Sequence, residues 1–235
     1  MPTTGSKQAP CPPRRARFAR GLKLGLPILL GYMPVGAAFG IVARDLGFTP
    51  LQAVTCSATA LAGAGQFIGL ALMKSGATAL TVVAATSVVN LRYVLFGAAM
   101  SPHVSRVPLG GQAILAFTLT DETFAVNIDD NRRGNADAFS MAGVGAIAWV
   151  GWVSGTALGA LTAGLIGDPS AWGVQFAMPA MFSALLVAQA EDRRHVVIGA
   201  VAAALAILLM LTLPADWYVL VTPVLAATLA AVVYR

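Results

Sequence analysis

The sequence predicts an all-α protein, a polytopic bundle of membrane-spanning helices, some of them interrupted. Composition, uncharged runs and the placement of positive charge predict it. Of 235 residues, 57% are hydrophobic and 11% are charged, whereas soluble domains carry about 25% charged residues. Residues 24–43, 46–73, 75–91, 107–120 and 138–166 contain no charge. Apolar runs of about 18 or more residues read as membrane spans. One such run can be a buried core helix, but so many in one chain argue for a bilayer. The net charge of +5 does not point to nucleic acid, because six of the fifteen basic residues (Lys7, Arg14, Arg15, Arg17, Arg20, Lys23) precede the first span. That is the position of a cytoplasmic anchor.

Taken in order, residues 1–20 hold four prolines and most of those arginines, and read as a disordered, basic cytoplasmic tail. Residues 21–235 read as a single transmembrane transport domain. About eight spans are expected, near 24–43, 51–73, 77–101, 107–128, 138–166, 171–189, 196–213 and 217–234. A re-entrant segment would reduce the count, and seven is the alternative. With the amino terminus inside and every span crossing, twelve basic residues lie inside and only Arg44 and Arg106 outside. The positive-inside rule then puts both termini in the cytoplasm.

The first span, GLPILLGYMPVGAAFG, contains Gly31, Pro34 and Gly36 as well as Pro27. Proline removes a backbone donor and glycine adds freedom, so this helix is expected to kink or break. A break exposes backbone groups that suit a charged substrate; a kink serving packing alone is the alternative. The second span carries Gly63, Gly65 and Gln66 in AGAGQF, and an intramembrane Gln either binds a ligand or bonds another helix. Cys56 reads as a small packing residue, and Cys11 and Cys56 imply no disulfide or metal site. In the fifth span Gly151, Gly155, Gly159 and Ala163 form a ridge of small residues, suited to close packing within the chain or against a subunit.

Three charges lie inside spans. Arg92, beside Asn90 in VNLRYVLFG, needs a partner or water, because a mid-membrane charge costs about 2.5–3.5 kcal/mol on insertion scales. Snorkelling to the headgroups is its alternative. Asp121 and Glu122 interrupt AFTLTDETFAV. Two adjacent carboxylates in hydrocarbon repel each other and lose hydration, so it is costly for both to stay ionised. Carboxyls that bind and release protons build the relays of transporters. Arg92 is the available counter-charge, but straight helices would leave it nearer the outside. Pairing it with Asp121 or Glu122 requires a break, and the Thr-rich TLTDET is the expected place.

GLPILLGYMPVGAAFG, AGAGQF, NLRYVLFG and AFTLTDETFAV, in this order and spacing, resemble the AzlC family of large subunits of branched-chain amino acid exporters. The resemblance is strong over about residues 21–128; beyond them it rests on hydropathy and AMPAMFSALLVAQ (177–189). It implies a bacterial inner (plasma) membrane location, an apolar amino acid substrate and a small hydrophobic AzlD-like partner. Where the family commonly has His after the Arg of the NLR segment, this chain has Tyr93.

The expected function is therefore a proton-coupled secondary exporter subunit for branched-chain or similar apolar amino acids; no P-loop GxxxxGK[ST] is present, so any ATPase would be another chain. The alternatives are the permease of an ATP-driven importer and a membrane-embedded enzyme. The enzyme reading is weak, because His103 and His195 stand alone and no HExxH, CxxC or nucleophile–base pair occurs. No cofactor is expected. Substrate-binding candidates are Gly31, Pro34, Gly36, Gly63, Gln66, Asn90 and Arg92. Asp121 and Glu122 are the candidates for proton coupling or for the substrate ammonium.

Overall fold

The computed structural model describes residues 12–135, 137–166 and 192–212 continuously, with isolated residues between 173 and 190 and between 221 and 232. The expected spans at 171–189 and 217–234 fall largely outside the described residues. What is described is helical: α1 (Arg14–Leu24), α2 (Leu26–Asp45), α3 (Pro50–Thr59), α4 (Gly63–Lys74), α5 (Ala79–Asn90), α6 (Arg92–Val104), α7 (Leu109–Phe117), α8 (Asp121–Arg132), α9 (Ala138–Ile166) and α10 (Arg193–Thr212). No strand occurs among the described residues. Four helical stretches there are long and apolar enough to cross a membrane: Leu26–Asp45, Ala79–Val104, Ala138–Leu165 and Arg193–Thr212.

The central scaffold is α2 packed along α9. Successive contacts pair Leu29 with Gly151, Met33 with Gly155 and Ala37 with Gly159, so the two helices run parallel. A Cβ built on Gly155 or Gly159 would overlap the α2 backbone, and one on Gly36 or Gly40 would overlap α9. Lipid supplies no hydrophobic drive between helices, so this close approach of small residues is what joins them. The glycine ridge of the fifth span is thus used within the chain.

The first span does not break. Pro27 occupies the first turn of α2, where its missing donor would be unpaired in any case. Pro34 sits inside α2 on an exposed face, and the helix continues to Asp45. The tail also orders earlier than expected. α1 starts at Arg14, directly after Pro13. Arg17 Nη1 donates to Asp137 Oδ1 at 2.6 Å, and Arg20 makes hydrogen bonds to both carboxylate oxygens of Asp130. The Arg14 and Arg17 guanidinium groups lie 5.4 and 4.9 Å from the Phe139 ring centre. Two of the arginines expected to stay in a loose tail, Arg17 and Arg20, find counter-charges just before α9 and near the end of α8.

The expected second and fourth spans fold differently from full crossings. α3 and α4 have 10 and 12 residues, and α7 and α8 have 9 and 12. At 1.5 Å per residue none reaches the roughly 30 Å of a hydrocarbon core. Each pair returns to the end of the bundle it left. Asp45, just before α3, accepts from Lys74 Nζ at the end of α4, at 2.9 Å. Arg106 and Pro108, just before α7, lie with Arg14 and Phe139, and α8 brings Asp130 back to Arg20. The chain therefore forms two helical hairpins entering from opposite ends. α5 and α6 follow as one helical stretch, Ala79–Val104, that tightens to i→i−3 bonds at Leu91 (Leu91 N to Val88 O, 3.2 Å; Val94 N to Leu91 O, 3.0 Å). Leu80, Val94, Leu95 and Leu109 on this side are exposed, as lipid-facing residues would be.

Candidate functional site

The hairpin tips meet beside the α2–α9 scaffold. Leu61, Gly63 and Ala64 of one tip and Thr120, Asp121 and Glu122 of the other line one pocket, with Tyr32, Arg92, Tyr93 and Trp152.

The first tip is built from small residues. α3 starts at a Thr49 capping box and stops at Ala60, and Ala60 and Ala62 take extended φ values of −135° and −139°. α4 then begins with no side-chain cap. The first N–H groups of a helix have no intrahelical acceptor, so α4 presents bare donors and the positive end of its dipole toward the pocket. Gly63 is required by packing: a Cβ there would lie 2.8 Å from the Trp152 ring. Trp152 is 2% exposed, and its Nε1 donates to Gln66 Oε1 at 2.9 Å.

The second tip is built from threonines. Thr120 caps α8, its Oγ1 accepting from Thr123 N at 3.3 Å, and Thr123 Oγ1 receives the Thr120 N–H at 2.8 Å. Thr123 Oγ1 also donates to Thr118 O at 2.9 Å. This reciprocal box fixes the turn and places Asp121 and Glu122 in the first turn of α8, where the helix dipole favours negative charge.

The break allows the ion pair. Arg92 Nη2 lies 3.0 Å from Asp121 Oδ2, with side-chain exposures of 26% and 10%. Arg92 Cζ is 5.3 Å from the Tyr93 ring centre. Glu122 takes a different partner: Tyr32 donates its hydroxyl hydrogen bond to Glu122 Oε2 and also lies 2.8 Å from Thr120 Oγ1. Tyr32 meets Trp152 edge-on at 5.4 Å. Phe96 stacks on Phe124 at 4.5 Å and ties α6 to α8 below the pocket.

Of the residues singled out in the sequence, Gly63, Arg92, Asp121 and Glu122 come together at the pocket. Gln66 lies one turn behind it, near Cys56 Sγ and Ser57 Oγ, and holds Trp152. Asn90 ends α5 two residues before Arg92, its amide against Gly65, and Asn90 Oδ1 is buried without a partner. Gly31 and Pro34 are exposed on α2, with nothing within 4 Å of a Cβ on Gly31, and Gly36 is buried against α9. These three do not line the pocket. Tyr32, Tyr93, Thr120 and Trp152 do, and the sequence reading gave them no site role. Tyr32 sits in the quoted GYMP segment, and Thr120 belongs to a T-x-x-T capping pattern. No group of three or more His, Cys, Asp or Glu residues able to hold a metal occurs among the described residues.

The fold and site define an all-helical membrane protein with a charged pocket where broken helices meet. The chain belongs to the AzlC family: the family described as AzlC protein matches residues 27–166. It is similar to the inner membrane protein YgaZ of Escherichia coli, 36% identical over 86% of this chain and 85% of that one. It is also similar to an uncharacterized membrane protein of Archaeoglobus fulgidus, 32% identical over 77% and 79%. The branched-chain amino acid transport protein AzlC of Bacillus subtilis is 25% identical over 77% of this chain and 71% of that one. No solved structure matches the chain.

Proposed function

We propose that this protein is a secondary transporter subunit that exports branched-chain or similar apolar amino acids, coupled to protons, with a small hydrophobic partner. The observation that carries the reading is the Arg92–Asp121 pair at the meeting of two broken helices. A zwitterion carries one charge of each sign, and it can open such a pair by taking each partner for itself. The substrate carboxylate then goes to Arg92 and the uncapped start of α4, and its ammonium to Asp121. Aliphatic surface at Leu61, Ala64 and Trp152 receives the side chain. The name of the Bacillus subtilis relative supports the substrate class. The proton sits on Asp121 or Glu122.

The protein lies in the bacterial inner membrane, with the arginine-rich end and both termini cytoplasmic. Turning two crossings into hairpins leaves six crossings, an even number. Lys74 moves outside and Arg106 inside, so the balance stays at twelve to two. Cysteines at Ser75 and Ser105 separate the arrangements: a membrane-impermeant thiol reagent applied from outside should label the first and spare the second. The reverse pattern would restore the eight-crossing topology.

Function is tested by efflux of valine, leucine and isoleucine from loaded vesicles, with and without the small membrane protein that co-purifies. The expected result is efflux that needs the partner. Wild-type efflux in both Asp121→Asn and Glu122→Gln would end the proposal. Arg92→Lys should weaken binding, because it keeps the charge and loses the planar fork.

A further inference from the structure

Asp121 and Glu122 are adjacent, but a helix turns about 100° per residue, and the two carboxylates face different neighbours. Asp121 faces a cation at 3.0 Å. Glu122 has no ion pair among the described residues and faces a phenol. Among the described residues, the other groups at the pocket come from four helices and the first tip. α2 gives Tyr32, α6 gives Arg92 and Tyr93, and α8 gives Asp121. α9 gives Trp152, and the first tip gives Leu61, Gly63 and Ala64, none of them ionisable. Arg92, the single cation among these described residues, is already engaged by Asp121.

Tyr32 is suited to hold Glu122 in either protonation state, because a hydroxyl donates one hydrogen bond and accepts others. It donates to the carboxylate when Glu122 is ionised. When Glu122 is protonated, the acid donates to Tyr32 Oη, and the Tyr32 proton turns to Thr120 Oγ1, 2.8 Å away. The Thr120 backbone is fixed by its capping box, and the Tyr32 ring is fixed against Trp152. The unit thus changes charge without losing its hydrogen bonds.

We infer that the two carboxylates divide the work: Glu122 binds the coupling proton, Tyr32 is the positioning residue for its carboxyl, and the Arg92–Asp121 pair serves the substrate's charges. This deepens the transport reading and rests on it. The proton comes from water on one side of the membrane and returns to water on the other.

The test uses the full chain with its co-purifying partner in vesicles, with valine as the probe. Glu122→Gln should keep valine exchange at equal pH and lose about tenfold or more of gradient-driven efflux. Asp121→Asn should lose exchange and efflux together. Tyr32→Phe should keep exchange and displace the midpoint of the efflux pH profile, which a purely packing role would leave in place. A second measurement is independent of the substrate: the infrared band of a protonated carboxyl, followed as pH changes. It should vanish in Glu122→Gln, persist in Asp121→Asn and shift in Tyr32→Phe. Wild-type protein that neither exchanges nor exports valine, yet shows this band pattern, would refute the transport reading and leave the assignment of the proton intact. A band that survives Glu122→Gln, or disappears in Asp121→Asn, would overturn the assignment, as would an unmoved pH profile in Tyr32→Phe.

Discussion

The break at residues 60–62 and the break at 118–120 both stop a helix inside the bundle, and different residues do it. The first uses Leu61 and alanines, with Gly63 admitting the Trp152 ring, and leaves α4 without a side-chain cap. The second uses Thr120 and Thr123, which fill the start of α8 with their own hydroxyls. Buried polar groups are costly without partners. The second tip is therefore complete in itself and displays fixed charges, whereas the first offers unfilled donors. One side of the pocket presents open N–H donors, and the other carries its own carboxylates.

Breaking the charged tip should have the largest effect. Arg92→Leu leaves Asp121 without its cation and should cost about 3–5 kcal/mol, read as a lower Tm in detergent. Adding Asp121→Leu should restore much of that loss, because neighbours in one pair are not additive. A double variant no more stable than the single one would show that the pair does not hold the tip.

The small-residue tip should be sensitive to volume instead. Gly63→Ala places a methyl 2.8 Å from the Trp152 ring and should cost about 1–3 kcal/mol, with Trp152 fluorescence reporting the displaced ring. Unchanged fluorescence and stability would mean that the tip is looser than its packing.

Exchanging the caps sharpens the contrast. Thr120→Ala should cost about 1 kcal/mol through its lost cap. Ala62→Ser should instead stabilise α4 by up to about 1 kcal/mol and weaken valine binding, because the added hydroxyl competes for the same N–H groups. Tighter valine binding in Ala62→Ser would remove α4 from the site.

The smallest effect belongs to the hairpin bases. Lys74→Ala breaks an exposed pair with Asp45, at 64% and 43% side-chain exposure, and should cost under about 1 kcal/mol. Arg20→Ala should cost more, since it loses hydrogen bonds to both oxygens of Asp130. Equal losses in thermal melts would contradict the difference in burial.

The charged part of the candidate site was legible in the sequence. Charges in apolar runs are costly, so Arg92, Asp121 and Glu122 stand out, and the pairing of Arg92 across a break in TLTDET follows from the distance a straight helix would impose. Tyr32 was not legible, because a tyrosine in an apolar span is ordinary until a carboxylate is found beside it. Pro34 and Gly31 misled for a local reason: proline tolerates a helix when its freed carbonyl and ring face outward, and only packing decides which way they face.

By itself the sequence determined the solvent, the helical class and the charges that lie within apolar runs, all of which follow from composition and from the cost of charge in hydrocarbon. Only the tertiary structure decided that residues 51–73 and 107–128 turn back on themselves. A hairpin and a crossing have the same apolar length, and exchanging Lys74 for Arg106 leaves the twelve-to-two balance unchanged. What separates them is which ends meet, Asp45 with Lys74 and Arg20 with Asp130, and those are contacts between residues far apart in the chain, which no local pattern records.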